Sequence, residues 1–108
     1  MKISCFLLAL LLPLAALADD DVIVYTLVLK DHRFQPEELI VPAGKKIKLM
    51  IDNRDETSDE FESFALNREK VVPGQRTTTI FIGPLDAGRY PFIGEFAEET
   101  AKGVIVAK

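Results

Sequence analysis

The chain is short of the side chains that most chemistry is built from. Among 108 residues there is no Trp, a single Cys (Cys5), a single His (His32) and two Met, one of which is Met1. One Cys can close no intramolecular disulfide and fits no zinc-type Cys spacing. One His, with no Ser and Asp arranged around it, leaves no nucleophilic triad to assemble. No Gly-rich phosphate-cradling motif occurs. Basic residues are also in the minority, 13 Lys and Arg against 17 Asp and Glu, for a net charge of −4. An acidic chain with scattered Arg and Lys is poorly suited to nucleic acid and better suited to cations.

Long apolar runs are missing too, except at the start. Met1 and Lys2 open the chain and residues 3–12 are apolar up to Pro13. Ala16, Leu17 and Ala18 form a small-x-small cleavage site before Asp19, Asp20 and Asp21. This pattern predicts a cleaved secretory signal peptide over residues 1–18 and an exported, periplasmic domain over 19–108. Cys5 leaves with the signal, so the exported domain is expected to hold no thiol at all.

What remains has the periodicity of strands. Residues 22–29 are a β-branched run, residues 39–41 a second, and Pro42 to Lys45 a turn. Ile47, Leu49 and Ile51 alternate with Lys46, Lys48 and Asp52, which is a strand with one buried face. Further strands are expected over 60–65, at Val71 and Val72, and over 77–82, 88–93 and 103–107. Residues 96–102 read as a helical stretch of one or two turns and residues 66–69 as another turn. Seven or eight short strands between turn signals predict an all-β antiparallel sandwich.

Carboxylates are the ligands this chain does have. In the stretch Asp59, Glu60, Phe61, Glu62, a buried Phe61 would turn Asp59 inward. Glu60 and Glu62 would then stand side by side outside, roughly 6–7 Å apart. Glu95 and Glu98 would share a face if their loop makes a helical turn. Hard oxygen donors suit Mg, Ca, Mn and ferric iron, and an added imidazole suits ferrous iron and Cu(II). The same residues also read as a solvated strand face and an exposed charged loop. His32, between Asp31 and Arg33, reads either as a ligand or as a surface hydrogen-bonder. Met50 reads as packing on the second face of its strand.

Three motifs in order resemble the cupredoxins. Phe34-x-Pro36-x-x-Leu39-x-Val41-Pro42-Ala43-Gly44 resembles their F-x-P-x-x-I-x-V-P-A-G signature. Gly88-x-Tyr90-x-Phe92 resembles their G-x-Y-x-F strand, and residues 102–106 their closing strand. The resemblance implies a cupredoxin-like Greek-key sandwich with Tyr90 as a tyrosine-corner residue. It also places the copper-ligand positions: Asp59 for the upstream His, Gly94 for the Cys and Ala101 for the Met. With no Cys and one His left after export, type 1 blue copper is excluded on ligand count.

Within that family the chain looks closest to the small periplasmic cupredoxin-domain proteins of bacterial iron uptake, the EfeO-type module and ferrous-iron transporter accessory proteins. The matching residues are Asp59 to Ser63, Gly94-Glu95-Phe96, and Thr100-Ala101-x-Gly103. The resemblance implies a metal-binding accessory that takes iron, or Cu or Mn, at an acidic pole of His32, Asp59, Glu60, Glu62, Glu95 and Glu98. It implies an inner-membrane iron permease or another periplasmic iron-uptake component as partner, with the oxidation of iron left open. Where such relatives often carry a His after Glu-Phe, this chain has Ala97. Glu69 is left outside the expected set. The alternatives are a metal-free interaction module on the same frame, and an isologous homodimer that completes the oxygen shell.

Overall fold

The computed structural model describes residues 21–108, so the expected signal peptide lies outside the described residues. Nine strands follow in order: β1 Ile23–Lys30, β2 Arg33–Gln35, β3 Glu38–Val41, β4 Ile47–Asn53, β5 Asp59–Ser63, β6 Arg68–Val72, β7 Arg76–Ile82, β8 Gly88–Gly94 and β9 Lys102–Ala107. The helical stretch expected over 96–102 is only a 3-10 turn, Glu95–Ala97. The amides of Thr100 and Ala101 both return to the carbonyl of Ala97, and the Gly94 amide pairs with the Ala101 carbonyl, which closes the loop after one turn.

The strands build two sheets, ordered β2-β1-β4-β7 and β3-β9-β8-β5-β6. The sequence pattern predicts an antiparallel sandwich, but each sheet holds one parallel pair, β1 with β4 and β3 with β9. The reason is connectivity. Between β1 and β4 the chain crosses to the other sheet to lay down β3, and such a crossover returns the next strand parallel.

Alternation decides which side chains fill the sandwich. Ile47, Leu49 and Ile51 are buried on β4 while Met50 sits half-buried on the opposite face. Phe34, Phe61 and Phe92 form the centre of the core. Phe61 stacks on Phe92 with centroids 5.2 Å apart, and Phe34 meets Phe92 edge-on at 5.1 Å, a favourable aromatic geometry. Gly103 lets β9 enter beside this group, since a Cβ there would lie 2.6 Å from both the Phe92 ring and the Glu37 carbonyl oxygen. Tyr90 donates its hydroxyl to the carbonyl of Asp86 at 2.7 Å, the tyrosine-corner bond.

One pole of the sandwich gathers the β1–β2 turn, the β4–β5 loop, β5 and the loop after β8. Asn53 is buried there. Its carboxamide donates to the carbonyls of Thr57 and Val72 and accepts the amide of Asp55. Asp55 in turn accepts the amides of Asp31 and His32 at 2.7 and 2.9 Å. Asp31 and His32 both have positive φ, a conformation these two hydrogen bonds hold in place.

Candidate metal centre

Strand β5 sorts its carboxylates by parity. Asp59, Phe61 and Ser63 are buried and Glu60 and Glu62 face outward, half-buried. Asp59 is 3% exposed. Its Oδ1 accepts the amide of Glu60 at 2.6 Å and that of Phe96 at 2.9 Å. An ideal Cβ on Gly94 would lie 2.5 Å from Asp59 Oδ2 and 2.9 Å from Ala101 Cβ. The three positions aligned with copper ligands therefore converge, but they bring one carboxylate, a hydrogen and a methyl group. Neither a thiolate nor an imidazole is present, so the residues do not fit type 1 copper.

The outer face carries a different group. The β5–β6 register sets Glu62 directly across from Glu69. The β5–β8 register pairs Phe61 with Gly94, and one further step brings Glu95 beside Glu60. Carboxylate oxygens of Glu60, Glu69 and Glu95 all lie within 4.8 Å of one another. Among the described residues the ion pairs are His32–Asp55, Arg54–Asp52 and Arg89–Glu38, and none of them involves Glu60, Glu69 or Glu95.

The crowding shows in the acid strengths. Glu60 is pushed up to about 7, first by its side-chain hydrogen bond with Glu95, then by desolvation and the charges of Glu69, Glu95 and Glu62. Glu62 is also raised, first by desolvation, then by the charges of Glu95 and Glu69. A proton held by Glu60 against Glu95 relieves repulsion among the converging carboxylates.

The six expected site residues fall into three places. Glu60, Glu62 and Glu95 come together on the outer face. Asp59 lies on the other side of the strand and is committed to backbone amides, which separates it from them. His32 and Glu98 line, with Glu95, Phe96, Ala97, Glu99 and Thr100, an open cavity of about 570 Å³ at the same pole. His32 is tied there by its carbonyl, which accepts the Thr100 hydroxyl at 2.6 Å, and its Nδ1 lies 3.7 Å from Asp55 Oδ2. Glu69, absent from the expected set, is a member of the cluster. A hairpin closed by the turn 64–67 pairs Ser63 with Arg68, and that register would have revealed it.

The profile of the cupredoxin-like domain family matches residues 3–107. The chain belongs to the cupredoxin-like domain family. An uncharacterized protein of Rickettsia prowazekii (strain Madrid E) is 40% identical over 88 residues, which is 82% of this chain and 70% of that protein. Among solved structures, auracyanin A, a blue copper protein of Chloroflexus aurantiacus, superposes with a TM-score of 0.70 at 15% identity over 82% of this chain and 100% of that one. The metal-binding domain of the Cu(I)-exporting P-type ATPase CopA of Streptococcus pneumoniae D39 gives a TM-score of 0.69 at 12% identity over 82% and 88% of the two chains. At such identities these likenesses establish the cupredoxin fold, and this cupredoxin-like chain keeps that fold around a copper position with none of the copper side chains.

Proposed function

We propose that this cupredoxin-like protein is a metal-binding accessory of periplasmic iron uptake, which holds iron, with Mn(II) or Cu(II) as surrogates, at its outer carboxylates and delivers it to a membrane permease. One observation carries the metal half of this reading. Glu60, Glu69 and Glu95 converge within 4.8 Å, and among the described residues none of the three is in an ion pair. Glu62 lies across from Glu69 as a fourth oxygen donor. Such an all-oxygen set suits a hard cation. The iron-uptake half rests on the sequence resemblance over residues 59–63 and 94–103. Bound iron is cargo here, and the residues act by binding it and excluding the shared proton.

Titration calorimetry of the exported, chelator-treated domain with Mn(II), Cu(II) and anaerobic Fe(II) tests the proposal. Saturable heat that is lost in Glu60→Gln supports it; no heat for any of the three at tens of micromolar protein sinks it.

A second reading is favoured by one specific feature. Phe64, in the β5–β6 turn, is 87% exposed, and beside it runs a groove of about 410 Å³ lined by Glu62, Ser63, Phe64, Ala65, Pro91, Phe92 and Ile93. An exposed aromatic at an apolar groove suits a protein contact. On this reading the domain is a metal-free interaction module that docks a permease or another periplasmic protein. In-cell crosslinking separates the two: a partner lost in Phe64→Ser, together with no metal heat, supports the module.

A further inference from the structure

At the position that the cupredoxin resemblance aligns with a copper-binding His, β5 carries Asp59, a buried carboxyl group whose Oδ1 accepts two backbone amides. One is the amide of Glu60 on its own strand. The other is the amide of Phe96, in the 3-10 turn that follows β8. These amides belong to the residue after Asp59 and the residue after Glu95. A single buried oxygen therefore joins the backbone that carries Glu60 to the backbone that carries Glu95. Oδ2 faces Gly94, where a Cβ would come within 2.5 Å of it and within 2.9 Å of the methyl group of fully buried Ala101.

Other ties flank the turn, including the β5–β8 ladder pair of Phe61 with Gly94 just before it. Gly94 and Ala101 pair through their backbones, and the Thr100 hydroxyl donates to the His32 carbonyl. Apart from the Glu60–Glu95 side-chain hydrogen bond of the outer cluster itself, the Asp59–Phe96 bond is what fastens the turn that bears Glu95 to β5 through a side chain, among the described hydrogen bonds.

We infer that Asp59 is a positioning residue that does by hydrogen bonding what a metal bound to the strand and the loop would do by coordination: it clamps the Glu95 turn to β5 and so sets Glu95 against Glu60. Gly94 is the small residue that leaves room for the clamp. The acceptor of the bond is a buried carboxyl oxygen, although Phe96 itself is exposed, and a low local dielectric around the acceptor strengthens the bond. The effect on metal rests on the proposed function, whereas the clamp itself does not.

Amide hydrogen exchange of the chelator-treated domain, read by NMR, tests it. In Asp59→Ala the Phe96 amide is expected to exchange about tenfold faster or more, the consequence of losing a charge-assisted hydrogen bond, while amides of β4 change far less. In Asp59→Asn the carboxamide oxygen can still accept, so Phe96 keeps most of its protection. Asp55→Asn, which loosens the neighbouring turn at Asp31 and His32, leaves Phe96 unchanged. If Asp59→Ala does not fold, Gly94→Ala gives the same reading, because its Cβ displaces the carboxylate. An unchanged Phe96 amide in these variants, or acceleration equal to that of the β4 amides, overturns the clamp. In the metal arm, Mn(II) affinity falls several-fold in Asp59→Ala and holds in Asp55→Asn. If Phe96 responds as stated but the wild-type domain binds no Mn(II), the clamp stands and the proposed function fails.

Discussion

At position 94 a methyl group is already too large. The backbone of Gly94 has φ −95° and ψ 110°, which any residue adopts, so the demand for glycine is purely steric. A Cβ would press on Asp59 Oδ2 and Ala101 Cβ at 2.5 and 2.9 Å. Gly94→Ala is expected to lower unfolding free energy by about 1–3 kcal/mol, measured by urea denaturation. The outer residues carry a separate prediction. Glu69→Gln is expected to weaken Mn(II) binding on the order of tenfold, as Glu95→Gln does, since each removes one of three converging oxygens. Glu98→Gln, on the cavity side of the loop, is expected to weaken it less in the same titration. Glu60 and Glu62 are legible from alternation around Phe61; Glu69 is not, because it depends on how the following hairpin pairs.

The β5–β6 hairpin is the element on which the site depends. Its ladder with β8 holds only two pairs, Phe61 with Gly94 and Glu62 with Ile93. Pro91 has no N–H to extend it. Ser63 makes up the loss: its hydroxyl donates to the Pro91 carbonyl at 2.7 Å and accepts the Leu66 amide at 3.0 Å. Ser63→Ala leaves the buried Leu66 amide and the partly buried Pro91 carbonyl without this partner and is expected to cost about 1–3 kcal/mol, read from the urea midpoint. Side-chain parity alone puts Asp59 and Phe61 inside, and the buried face of the strand extends from them to Ser63. The strand limits are less legible. The stretch expected over 60–65 ends at Ser63, because residues 64–67 turn, and Val71 and Val72 belong to a longer strand that starts at Arg68.

For the whole molecule the acidic face implies a pH response of definite sign. Glu60 in the folded protein holds its proton up to about 7, against an ordinary 4.5. The folded state therefore binds more protons than the unfolded chain between these values, and stability falls as pH rises. The contribution is fully present below 4.5 and lost as pH rises through about 7; Glu62, raised in the same direction, adds to it. Melting of the chelator-treated domain is expected at a lower temperature at about pH 8 than at about pH 5. In Glu60→Gln that fall should be shallower, as differential scanning calorimetry would show. Saturating Mn(II) is expected to raise the melting temperature at about pH 8, because a ligand that binds only the folded state stabilises it.

The sequence by itself determined the class of fold, through strand periodicity and three ordered motifs, and it excluded type 1 copper, through residue types that no folding can supply. It also determined which carboxylates of β5 face in and which face out, because side-chain parity is local to a strand. Tertiary structure decided the rest. Parallel pairing of β1 with β4 and β3 with β9 follows from how the chain crosses between sheets. The entry of Glu69 into the cluster follows from hairpin register. The separation of Asp59 from Glu60 and Glu62 has the same physical origin as their legibility: neighbouring residues on a strand point to opposite faces, so an inner carboxylate reaches the loop backbone while the outer ones converge on one another.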